Sequence, residues 1–128
     1  MTNFNFPLGF RIAGVYDVLL GLSFVFFYQN IYQILEITLP HHAGYIFVPA
    51  LFVMCGGVGE FLIAENPLRN IDLVVVRLLM KLSFASAILF CYFTIGVPAL
   101  FLVISALSIV GVIKNLAFIK WAKTQTIS

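Results

Sequence analysis

The chain has 128 residues, 62% of them hydrophobic and 9% charged, with a formal net charge of +2. Typical soluble domains are about 45–50% apolar and about 25% charged, so a mean hydropathy of +1.11 excludes a soluble globule, a disordered tail and a disulfide scaffold. The small, scattered positive excess also excludes nucleic acid as a partner.

A membrane-crossing helix needs about 20 mostly apolar residues. Four segments supply them, at about 9–27, 45–64, 71–93 and 97–119. These runs are continuously apolar and lack the polar–apolar alternation of a membrane β-barrel. The expected fold is therefore all-α, an integral membrane four-helix transmembrane bundle in a single transmembrane domain, 1–128. Residues 1–10 carry no Lys or Arg and no small-x-small cleavage site follows, so the first run is expected to be retained as an anchor.

After the first span comes a long connection from Tyr28 to Gly44. Within it Ile31, Ile34, Leu35 and Leu39 fall near helical spacing, with Gln33 and Glu36 off that stripe and Pro40 ending it. The pattern predicts a short interfacial helix on the outer membrane face, either capping the bundle or closing over a pocket. Pro49, early in the second span, predicts a local bend. Asn66-Pro67 is a turn signal between the second and third spans. No charge occurs between Leu82 and Ile113, a run too long for one span, and Thr94-Ile95-Gly96-Val97-Pro98 divides it.

Arg11, Arg69, Lys114, Lys120 and Lys123 lie at one set of helix ends, whereas Tyr28–Gly44 and Thr94–Gly96 contain no Lys or Arg. The positive-inside rule then places both termini in the cytoplasm. Trp121 becomes an inner interface anchor, and Tyr28, Tyr32 and Tyr45 an outer aromatic belt.

Ionisable residues inside membrane segments are costly and mark functional sites by default. Arg11, Asp17, Glu60, Arg77 and Lys81 stand in this position. At about 1.5 Å per residue, Asp17 lies about 12 Å and Lys81 about 15 Å into their spans, while Arg77 is about 9 Å in and Glu60 about 6 Å from its inner end. The depths match Asp17 with Lys81 and Glu60 with Arg77. Arg77 and Lys81 share one helix face, as do Ala13, Gly14, Asp17, Gly21 and Phe24, and Val53, Gly56, Gly57 and Glu60. The expected site is an inward-facing cluster of Asp17, Glu60, Arg77 and Lys81, with Arg11 angled away and free to snorkel to the headgroups. Two ion pairs fixing helix register, or a polar pocket open to the cytoplasm, both satisfy this pattern. Counting Arg11, three positive and two negative charges suit an anionic headgroup, a small anion or a quinone carbonyl. Asp72 suits the first turn of its helix, and Glu65 and Arg69 read as solvated loop charges.

Other chemistry is missing from the sequence. The only histidines, His41 and His42, lie in the outer connection, which disfavours paired axial haem ligands within the bundle. No metal site, HExxH, phosphate loop or nucleophile elbow is readable. Ser83, Ser86, Ser105 and Ser108 read as packing residues. Cys55 and Cys91 read as small buried hydrophobes, at depths too different for a disulfide.

Several stretches resemble the DoxX-like family of small bacterial membrane proteins. They are Phe10-Arg11-Ile12-Ala13-Gly14 with Leu20-Gly21-Leu22, Gly56-Gly57-Val58-Gly59-Glu60, Asn66-Pro67-Leu68-Arg69-Asn70, and Arg77-Leu78-Leu79-Met80-Lys81. The resemblance spans most of the chain and implies a four-helix bundle in the cytoplasmic membrane. It also implies a link to quinol oxidation or oxidoreductase complexes. The outer connection with Glu36, His41 and His42 has no counterpart in it.

Together these readings lead to a small non-haem accessory or redox-linked membrane subunit, with no catalytic motif and no resident cofactor beyond a bound quinone or lipid. Its partners would be the lipid bilayer, other membrane subunits or copies of itself. A homo-oligomeric transporter or proton-coupled carrier is a second reading, and a purely structural subunit a third.

Overall fold

The computed structural model of the chain describes residues 5–127, with side chains to residue 125. The fold is all-α. Helices α1 (Phe6–Ile34), α2 (Gly44–Glu65), α3 (Ile71–Thr94) and α4 (Ala99–Ile127) follow one another along the chain. All four are long and apolar enough to cross a membrane, which makes this a multi-pass membrane protein. Phe26, Phe52, Phe90 and Phe93 are among many large apolar side chains left exposed. Contiguous apolar surface of this kind marks contact with lipid or partners.

The chain divides into two compact units. The first, Pro7–Glu65, holds α1 and α2. Its seam is built from small residues. A methyl group at Gly14 would lie 3.0 Å from the Gly57 carbonyl oxygen, and one at Gly21 would lie 2.7 Å from that of Ala50. Moving up α1 from Gly14 to Gly21 moves the contact down α2 from Gly57 to Ala50, so the two helices run antiparallel. Small residues allow this close approach of backbones in lipid, where packing rather than hydrophobicity holds helices together. Gly14, Asp17 and Gly21 on α1, and Gly56, Gly57 and Glu60 on α2, are buried, in agreement with the expected faces.

A kink at Phe27, where φ is −123° and ψ is 20°, divides α1 into two helical stretches, and the second, ending at Ile34, is a short helix following the first span, as expected, though it stops before Leu39. No Gly or Pro stands between Phe27 and Ile34 to stop the helix, so the chain changes direction and stays helical. The helix ends when Glu36 takes a φ of 57°. There Glu36 N–H donates to the Gln33 carbonyl (3.1 Å) and Ile37 N–H to that of Tyr32 (2.9 Å). This is the Schellman pattern, with Glu36 at the position that favours glycine. Tyr28 meets Phe47 edge-on with ring centroids 5.3 Å apart.

The second unit holds 66–127 together with residues 5 and 6. Its entry turn is tied by Asn66, whose side-chain oxygen accepts from Arg69 N–H (3.3 Å) and whose carbonyl accepts from Asn70 Nδ2 (3.0 Å). Helix α3 packs against α4. Between them Ser105 Oγ donates to the Ala85 carbonyl at 3.5 Å, and Lys81 lies against Gly111. Position falls on α3 as it rises on α4, so this pair is antiparallel too. The connection turns at Gly96, whose φ of +91° favours glycine. Both Ile95 and Gly96 N–H donate to the Cys91 carbonyl at 2.8 Å.

Helix α4 begins two residues later than expected, just after Pro98, and continues well past residue 119. Nothing between Ile119 and Thr124 breaks a helix, and its apolar face persists: Phe118 and Ala122 are buried. Phe6 stacks on this end, 5.2 Å from Phe118 and 5.4 Å from Trp121 by ring centroids.

Candidate functional site

Of the twelve acidic and basic side chains in the sequence, four are buried: Asp17 (9% exposed), Glu60 (0%), Arg77 (5%) and Lys81 (9%). These are four of the five singled out by position in the spans, the fifth being Arg11. Asp17 and Glu60 belong to the unit of α1 and α2, and Arg77 and Lys81 to that of α3 and α4. Arg11 is exposed, as its angle on the helix and the length of its side chain allow. Asp72, Glu65 and Arg69 are exposed as well.

On the acidic side, the seam of small residues sets the position of both carboxylates. A methyl group at Gly57 would come within 3.1 Å of Asp17 Cβ and 2.9 Å of the Gly14 carbonyl. Gly57 therefore lets the backbone carrying Asp17 close onto α2, and Glu60 follows one turn along. The Tyr16 hydroxyl beside Asp17 is buried and has no hydrogen-bond partner.

On the basic side, Arg77 and Lys81 are one turn apart on the buried face of α3, between Val74 and Ala85. Arg77 Nη1 reaches Met80 Sδ at 3.6 Å. Lys81 is accommodated by α4: a methyl group at Gly111 would lie 2.9 Å from its Cδ and 3.2 Å from its Nζ. The antiparallel register that sets Lys81 against Gly111 puts Arg77, one turn lower on α3, level with Asn115, one turn further on α4.

Asn115 is the residue that sequence reasoning missed. It is completely buried, and neither Nδ2 nor Oδ1 has a hydrogen-bond partner. The signal was present: Gly111, Asn115, Phe118 and Ala122 follow helical spacing along one face.

The cysteines are unbridged; Cys55 is exposed on α2 and Cys91 half-buried. Cys55 is thus not the buried packing residue expected, but lies on a helix surface suited to lipid. His41 and His42 are exposed. Among the described residues, no three of His, Cys, Asp and Glu gather as a metal site would require.

Each unit carries its own polar chemistry inside apolar helices: two carboxylates on α1 and α2, and a guanidinium, an ammonium and a carboxamide on α3 and α4. Comparison with protein-family models, with curated proteins and with solved structures gives no match.

Proposed function

We propose that this multi-pass protein is a small accessory, redox-linked subunit of the cytoplasmic membrane. In this reading both termini are cytoplasmic, and the protein holds the polar head of a quinone or lipid through Arg77 and Lys81. The observation that carries the reading is the burial of these two cations one turn apart on an apolar helix. Like charges at this spacing repel, and charge at membrane depth is expensive. A helix used only for packing has no need of either. An oxygen-bearing head suits such cations.

The distribution of Lys and Arg supports the cytoplasmic placement of the termini. The DoxX-like stretches around Gly56–Glu60 and Arg77–Lys81 support a respiratory or redox-linked setting. Purification in a gentle detergent at native expression level, followed by native mass spectrometry, tests the proposal. Defined partner subunits or a retained quinone or lipid are expected. A bare protein with neither contradicts it.

A further inference from the structure

We infer that Asn115 extends the polar site of Arg77 and Lys81, on α3 and α4 alone, and there takes a bound hydroxyl, water or carbonyl oxygen. The carboxamide is fully buried and unpartnered at both Nδ2 and Oδ1. In an apolar interior an unmet amide costs roughly 1–3 kcal/mol or more, and in lipid no solvent relieves it. A methyl or isopropyl group would serve packing better. The surroundings are those of an oxygen site. The ammonium of Lys81 lies against Gly111, one turn from Asn115 along the same face of α4, and the helix register sets Arg77 at the level of Asn115. Nδ2 can donate to a carbonyl or hydroxyl oxygen, and Oδ1 can accept from a hydroxyl; the neighbouring cations favour the lone pairs of that oxygen. A water or hydroxyl oxygen, with both capacities, satisfies both ends of the amide, and a carbonyl oxygen satisfies Nδ2.

Two sources carry this chemistry: an internal water, and the head of a lipophilic carbonyl compound. Only the second rests on the proposed function. The test compares Asn115→Thr with Asn115→Val, two side chains of the same shape that differ by a hydroxyl. Unfolding midpoints of the purified full-length proteins are measured in detergent, with and without a short-chain ubiquinone as probe. The inference expects the Thr variant to melt higher than the Val variant, by about 2–8 °C for a chain of this size. If the probe also raises the midpoint of the unsubstituted protein, and the Val variant loses that shift, the source is lipophilic. If Thr exceeds Val and the probe shifts nothing, the source is water. A Val variant that melts as high as the Thr variant, or higher, overturns the inference whatever the probe does. The comparison leaves Arg77 and Lys81 untouched, so its failure and the failure of the proposed function are separate results.

Discussion

Lys81 lies across Gly111, so close that a methyl group on that glycine would stand 2.9 Å from the lysine Cδ. The neighbour is the flexible stem of a long side chain, not backbone. Gly111→Ala is therefore expected to change stability by less than about 1 kcal/mol, the stem shifting while alanine improves the helix. Gly111→Leu fills the space the lysine occupies and should cost about 1–3 kcal/mol by overpacking. Thermal unfolding in detergent reads both.

Gly57 makes the opposite case. A methyl group there would meet the Gly14 carbonyl oxygen at 2.9 Å, and that oxygen belongs to the opposing helix backbone. Gly57→Ala should force α1 and α2 apart and lose about 1–3 kcal/mol despite alanine's better helix propensity. An alanine variant at Gly57 that melts no lower than one at Gly111 would refute this account of the seam.

The two helix ends with left-handed residues predict opposite effects. Glu36 holds a φ of 57°, so Glu36→Gly should raise stability by about 1 kcal/mol. Gly96 holds a φ of +91°, and Gly96→Ala should lower stability by about 1 kcal/mol or more. Both turns lie away from the buried charges, so ligand retention should not change in either variant.

Much of this fold was legible because membrane helices announce themselves by apolar length. The expected starts of α2 and α3, at residues 45 and 71, fall within one residue of Gly44 and Ile71. The four buried ionisable residues stood out for the same reason, as charges within apolar runs. The helix ends were harder to see. Apolarity marks where a chain leaves the membrane, not where the backbone stops being helical. Thus α1 passes the break at Phe27, and α4 passes residue 119 through Lys120, Trp121 and Lys123. Asn115 escaped because a single carboxamide scarcely lowers the hydropathy of a long span. Only its alignment with Gly111, Phe118 and Ala122 reveals the face it occupies. Backbone strain at Glu36 left no mark in composition or periodicity.

The central claim is that Arg77 and Lys81 are buried to hold a ligand. Lys81→Met tests it most directly, since methionine fills similar space without charge. The substituted and unsubstituted proteins are purified in parallel and compared by native mass spectrometry, with circular dichroism to confirm equal helix content. The account predicts that the unsubstituted protein carries a quinone or lipid molecule in fixed ratio, and that the methionine variant is equally helical and has lost it. Equal retention in both proteins, or no bound molecule in either, would contradict the claim.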